Sequence, residues 1–314
     1  MISRRLLRIK ALQIIYAYNM SDNPNLNKAE KELLFSVGKS YELYHLILLL
    51  ILEIATYAEN RIEIKKSKHF PTEDESNPNT QFILNPIILK LRDNDSFLRY
   101  VDQHHISWAN YPELIKHLYS TMIETVEYTT YMGSETLTFS QHRNFLIFLI
   151  ESILTPDENL SQVLEERSIF WNDDIDFAAG MAIKTLGKFK ESQTIKMFPM
   201  FKDEEDQKFL TDLFRKSVVH GDEHRLLIKN FTKNWDFDRI AIMDILIMQM
   251  AITEAIEFPS IPTKVTLNEY IEIAKYYSTE KSSVFINGIL DKTFQTLKTE
   301  KKIIKTGRGL IGEP

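Results

Sequence analysis

Residues 261–297 read IPTKVTLNEYIEIAKYYSTEKSSVFINGILDKTFQTL. Thr266, followed three residues later by Glu269, is a capping-box pattern and predicts a helix running through Tyr277. Ser282 or Ser283 opens the next helix, which runs to about Leu297. Inside it sits Asn287-Gly288, a pair that in isolation signals a hairpin. No alternating strand flanks the pair, and Phe285, Ile286, Ile289 and Leu290 fit one helical face. The stretch therefore reads as helical, with Gly288 expected to let a neighbouring helix approach closely. With this segment helical, the chain reads as all-α.

Working outward, residues 204–219 form one helix, Gly221 reads as a C-terminal stop, and Asp222 reads as the cap of a helix reaching Phe231. Asp236 opens a strongly apolar helix through Ile256, and Phe258-Pro-Ser-Ile-Pro262 is a rigid connection. Upstream, helices are expected near 84–104, 111–131, 141–154, 157–170 and 175–189, the last capped by Asp173 or Asp174. Residues 65–80, with Pro71, Asp74, Asn77 and Pro78, read as an exposed loop. A long helix spans about Lys28 to Arg61, and residues 19–27 form a polar break. The first helix covers 4–18, where Leu7, Ala11, Ile14, Ile15 and Tyr18 recur at steps of three and four and Ser3 is the N-cap. A weak self-similarity at an offset of 64 sets Phe145, Leu146, Leu149 and Trp171 on Phe209, Leu210, Leu213 and Trp235.

The 314 residues contain 44% hydrophobic side chains and only nine glycines, a balance that suits helices with a sizeable core. Cysteine is absent, which excludes disulfides, thiolate metal sites and cysteine nucleophiles and fits a reducing cytoplasm. The first helix has no continuous apolar run of the signal-peptide kind, and Leu46–Leu52 is too short to span a bilayer. The net charge of −6 argues against a protein coated with nucleic acid over its whole surface. Both ends are nonetheless basic: Arg4, Arg5, Arg8 and Lys10 at the start, and Lys298, Lys301, Lys302, Lys305 and Arg308 after Leu297, where Glu300 and Glu313 are the only acids. Basic ends on an acidic body point to a local contact with polyanion.

His220-Gly-Asp-Glu223-His224 matches the H-x-x-E-H spacing of a zinc peptidase. That chemistry needs both imidazoles on one helix face, and a helix break at Gly221-Asp222 is expected to separate them. Trp171-Asn-Asp-Asp-Ile-Asp176 offers three carboxylates, read as helix capping rather than a hydrolase pair, and His104-His105 read as surface. No glycine-rich phosphate cradle is present. On the first helix, by contrast, Arg4, Arg5 and Arg8 cluster ahead of Gln13 and Tyr16. Arginine offers forked donors to phosphates and bases, and tyrosine a stacking face for an unpaired base. The alternative is a solvated helix end with Tyr16 in the core.

Two blocks resemble the NusB family. One is Ser3-Arg-Arg-Leu-Leu-Arg-Ile-Lys-Ala-Leu-Gln-Ile-Ile-Tyr16, similar to the family's opening helix. The other runs from Asp238 to Lys292, with Asp244, Glu254, Ile261-Pro262, Val265, Asn268-Glu269, Ile273-Ala274-Lys275 and Phe285-Ile-Asn-Gly-Ile-Leu-Asp-Lys292 in order. The resemblance implies a bundle of two packed helical subdomains with a large additional helical region. It implies a non-enzymatic transcription antitermination factor that needs no cofactor or metal. The implied partners are boxA-like single-stranded RNA, the ribosomal protein NusE and the RNA polymerase antitermination complex, acting in transcription of ribosomal RNA operons. Carried over by position, Arg4, Arg5, Arg8, Gln13, Tyr16, Lys281, Ser282 and Ser283 face RNA, and Glu254 lies on a surface near partner or RNA.

Four regions follow: 1–20, the basic first helix; 21–200, the additional helical region, an insertion or divergent repeat; 201–298, the C-terminal core; and 299–314, a basic flexible tail. The sequence departs from the family pattern at Leu6, where a third arginine is frequent, at Gln249, where arginine is frequent, and at Lys281, where an acidic or polar residue is usual. These departures bear on RNA sequence preference. One rival is an RNA cytosine methyltransferase with a NusB-like domain; it fails for want of a cysteine and of chain after the matched block. A helical protein–protein scaffold without RNA binding is the other.

Overall fold

The computed structural model describes residues 1–193, 196–232, 237–279 and 281–312. The expected cap Asp236, together with Trp235, Glu313 and the side chain of Asp238, lies outside the described residues. Among those described there are fifteen α-helices and no strand, as the all-α reading requires. In chain order they are α1 (Arg4–Met20), α2 (Leu26–Lys66), α3 (Glu73–Ser76), α4 (Pro86–Arg92), α5 (Asp95–Gln103), α6 (Pro112–Ile123), α7 (Val126–Gly133), α8 (Phe139–Phe148), α9 (Glu158–Arg167), α10 (Ile175–Lys188), α11 (Glu204–Val219), α12 (Gly221–Phe231), α13 (Ile242–Glu257), α14 (Thr263–Tyr277) and α15 (Ser282–Thr299). A π-turn, Leu149–Leu154, continues α8.

Two expected helices are each split by a local cap. Asn94 accepts a hydrogen bond from the Phe97 amide at 2.9 Å and starts α5. Thr125 accepts from the Tyr128 amide at 3.1 Å and starts α7. Short polar side chains take the first free amides of a helix, so each such residue competes with continuing the previous one. The same mechanism places one turn, α3, inside the expected loop 65–80: Thr72 and Glu75 form a capping box.

The chain divides into two compact units, one of Met1–Ile2 with Gly38–Met200, the other of Ser3–Val37 with everything from Phe201 onward. In the first, the Leu46–Leu52 run of α2 is fully buried. Trp108 donates its indole N–H to the Leu46 carbonyl at 3.0 Å, and Trp171 donates to the Lys39 carbonyl at 2.8 Å. His45 stacks on Tyr100 at 3.8 Å between ring centres. The helix α2 is long and apolar enough to cross a membrane by composition, yet 72% of its apolar window is buried inside the protein, the signature of a core helix.

The second unit is built on α13. Every residue from Asp244 to Ala255 is buried, so this helix is apolar almost all round because it is surrounded: α11, α12, α14 and α15 pack on it, and α1 packs on both α11 and α13. Four local expectations are corrected here. Gly221 starts α12 instead of ending α11; a Cβ there would lie 3.0 Å from the Gln249 amide, so the glycine permits a close approach to α13. Asp222 is not a cap, since the cap position is His220 and no side chain caps it. Thr266 lies within α14 and donates to Glu254 at 2.9 Å, so Thr266 and Glu269 form no capping box. A Cβ at Gly288 would meet nothing within 4 Å, so no helix uses that gap.

The C-terminal segment is docked rather than loose. Lys305 donates to the carbonyls of Ala255 and Phe258 at 2.8 and 3.1 Å, satisfying the end of α13. The Thr306 amide donates to the Pro259 carbonyl at 3.0 Å, Ile303 is buried, and a Cβ on Gly309 would run into that same carbonyl.

Candidate nucleic-acid interface

Ser3 caps α1 as expected, its hydroxyl accepting from the Leu6 amide at 3.2 Å. The three arginines of this helix do not form a free cationic patch, because each meets a carboxylate. Arg4 pairs with Asp206 at 2.8 Å, and Arg5 makes a two-pronged pair with Glu269 at 2.9 and 2.8 Å. Phe209 lies against the guanidinium groups of both Arg4 and Arg8, 5.1 and 5.2 Å from its ring centre.

Arg8 and Glu254 are corrections to the expected RNA- and partner-facing set. Their side chains are 3% and 0% exposed, so neither reaches a macromolecular surface. Arg8 grips Glu254 with two bonds of 2.7 Å. Thr266 and Tyr270 donate the remaining hydrogen bonds to the carboxylate, at 2.9 and 3.1 Å. Burial by itself would lower the Arg8 pKa, but the Glu254 charge and hydrogen bonds outweigh it and leave it raised. Burial and the Glu254 charge together hold the Tyr270 hydroxyl firmly protonated. Two helices far apart in sequence are thus locked by a satisfied buried ion pair, whose role is structural.

Further along α1 the chemistry changes. Gln13 donates to the Tyr277 hydroxyl at 3.4 Å. The step from Arg5 to Gln13 equals the step from Glu269 to Tyr277, so α1 and α14 run in the same direction alongside one another for about 12 Å. The first helix is thereby brought to the junction of α14 and α15. Asp244, in the first turn of α13, secures that junction by accepting hydrogen bonds from Ser278 and Ser282, the latter at 2.9 Å. Ser282 is therefore buried and committed, a third correction to the expected contact set. Ser283 is half-buried, and Lys281 is exposed and makes no ion pair among the described residues.

Tyr16, 38% exposed, keeps a partly free ring. The alternative that placed it in the core does not hold. Tyr276, one residue before the Gln13 partner, is 82% exposed and was not among the expected site residues. Its signal was available: in the pair Tyr276-Tyr277, a helix can bury only one ring. Lys275 is also exposed but pairs with Glu272 at 2.5 Å.

The His220–His224 motif behaves differently from its reading. The break at His220 does not part the rings, whose centres lie 5.9 Å apart. His224 is buried against Thr253, its Nδ1 at 3.1 Å from the hydroxyl, and burial pushes its pKa down to about 4. Among the described residues no group of three or more histidine, aspartate or glutamate side chains is placed to hold a metal ion. Gln249, at the second position departing from the expected pattern, is buried and donates to the Ser217 carbonyl at 2.6 Å while accepting from Arg225. Leu6, at the first, is part of the core.

The family model described as NusB family matches residues 181–295. A transcription antitermination protein NusB of Salinibacter ruber is 34% identical over 146 residues, 46% of this chain and 86% of that protein. The protein of the same name from Chloroherpeton thalassium is 47% identical over 87 residues, 28% of this chain and 41% of its own length. That from Natranaerobius thermophilus is 46% identical over 70 residues, 22% of this chain and 50% of its own. No solved structure matches the chain.

Proposed function

The chain belongs to the NusB family of transcription antitermination proteins, and on that premise we propose that it binds boxA-like single-stranded RNA together with NusE, in the cytoplasm, to support ribosomal RNA transcription. The family is one of transcription factors, not of enzymes. The observation that carries the RNA reading is the Gln13–Tyr277 link, which sets the exposed end of α1 beside the α14–α15 junction. Tyr16 and Tyr276 offer stacking faces, Lys281 offers a cation that makes no ion pair among the described residues, and among those residues no side chain caps the amides at the start of α15. Exposed rings beside cations and open helix amides suit an unpaired strand, with rings for bases and amides for phosphate. Arg4 and Arg5 add to this strip only by exchanging Asp206 and Glu269 for phosphates, so their share is smaller than their number suggests.

The observation that favours a protein-only scaffold is that same neutralisation of Arg4, Arg5 and Arg8. Titrating the full chain with labelled boxA-like RNA, with and without NusE, separates the two. RNA binding that tightens with NusE is expected. Capture of NusE with no RNA binding in either arm would establish the scaffold instead. Tyr276→Ala is expected to weaken RNA binding by about 1–3 kcal/mol while leaving the helical content unchanged.

A further inference from the structure

We propose that the groove at the C-terminal end of α2 is a second site for single-stranded RNA, taking the phosphate–ribose backbone of nucleotides outside the boxA contact; this rests on the RNA-binding reading above. From Glu63 to Phe70 every residue is exposed, as is Arg61, so the end of α2 leaves the core. The groove is lined by Tyr57, Asn60, Arg61, Ile64, Lys65 and Lys68 and has a volume of about 410 Å³, within the range of ordinary ligand clefts. Between residues 61 and 68 there are four cations and a single acid, Glu63. Lys66 pairs with Glu63 at 3.2 Å and Lys68 with Glu75 at 2.5 Å. Among the described residues Arg61 and Lys65 face no carboxylate at ion-pair distance, which sets them apart from Arg4, Arg5 and Arg8.

Arg61 is nonetheless held in place. Its guanidinium lies 5.9 Å from the Tyr119 ring centre, and Tyr57, which lines the same groove, meets the Tyr119 ring edge-on at 5.2 Å. Aromatic contacts fix the fork without neutralising it, so its donors stay available to a phosphate. Just beyond the groove, Phe70 is 86% exposed and presents a face for a base. On a chain of net charge −6, an oriented Arg61 with Lys65 nearby, neither in an ion pair among the described residues, and an exposed Phe70 ring farther along the chain are the local features of a single-strand platform. An acidic peptide would use the cations, and it becomes an outcome of the test.

The full-length chain is titrated by fluorescence anisotropy with a twelve-residue oligouridylate and, separately, with boxA-like RNA, across about 50 to 200 mM salt. Wild type is expected to take up two oligouridylates per chain. The double variant Arg61→Gln/Lys65→Gln is expected to take up one. The second binding event in wild type should weaken with added salt at a slope of about −1.4, that is ~0.7 for each of two phosphates, and should be missing from the variant. Arg61→Gln/Lys65→Arg, which keeps one of the two cations, should show part of the second event that the double variant loses. Both variants change exposed side chains, and equal thermal midpoints by circular dichroism check their folding. A second event that persists in the double variant with the wild-type slope would overturn the groove. So would displacement of the second oligouridylate by polyglutamate of equal charge, which would assign the groove to acidic peptides. Neither result touches the boxA titration. That titration judges the α1 strip by itself, through loss of the boxA event in Tyr16→Ala/Lys281→Gln with the groove intact.

Discussion

Arg5 and Arg8 lie one turn apart on α1 and look alike in the sequence, yet they belong to two different regions of the same unit. Arg8 is sealed in the interior and grips Glu254 with two hydrogen bonds. Arg5 sits at the surface, its side chain 43% exposed, against a partly exposed Glu269. The lesson is that a basic helix is not a binding patch until the carboxylates facing it are known. A buried pair fixes the fold, whereas a surface pair can be exchanged for phosphate.

The largest effect should come from breaking the buried pair. Arg8→Ala leaves Glu254 as an uncompensated interior charge and is expected to cost about 3–5 kcal/mol in urea denaturation. Replacing both partners together with the hydroxyls that donate to them, Arg8→Met and Glu254→Leu with Thr266→Val and Tyr270→Phe, should recover most of that loss, because no buried polar group is then left without a partner. If Arg8→Ala is stable and binds RNA poorly, Arg8 belongs to the surface and the contrast fails.

Buried histidines sharpen the same contrast through pH. Burial holds His45 and His224 at about 4, well below the ordinary 6.5. Between those values the unfolded chain binds protons that the folded chain refuses. The stability these groups contribute is therefore present above pH 6.5 and is lost as pH falls toward 4, by roughly 3 kcal/mol for each histidine. Urea midpoints measured at pH 7 and pH 5 should fall together with acid in wild type and fall less in His224→Gln. A midpoint that does not move over this range contradicts the burial of both rings.

At the docked C-terminus, Gly309→Ala should push the backbone away from Pro259 and cost about 1–3 kcal/mol, read as a lower thermal midpoint. The smallest stability effect is expected for Arg5→Ala, under about 1 kcal/mol, since surface pairs contribute little. Its RNA affinity should nonetheless lose up to ~0.7 of salt slope, one phosphate's share.

Much of the architecture was legible because periodicity and caps act locally. The helix 204–219 and the Ser3 cap were found as they stand, and Asn287-Gly288 proved helical as its flanks required. What local pattern missed depended on distant partners. Thr266 reads as a cap until Glu254 on another helix is seen to claim its hydroxyl. Gly221 reads as a stop until Gln249 is seen pressing on it. Residues 299–314 read as a loose basic tail because the carbonyls that Lys305 caps belong to the end of α13. In the candidate site, Gln13, Tyr16 and Lys281 could be named from sequence because the resemblance spans them. For Tyr276 the sequence signals only that one ring of the Tyr276-Tyr277 pair stays outside, and packing shows which one.

The central claim is that an exposed strip between α1 and the α14–α15 junction binds an unpaired RNA strand. The most direct test compares wild type with Tyr16→Ala/Lys281→Gln in boxA-like RNA titrations at two salt concentrations. The account predicts weaker binding and a shallower salt dependence in the variant, with unfolding curves that superimpose on wild type. Equal affinity and equal slope in the two proteins would contradict it.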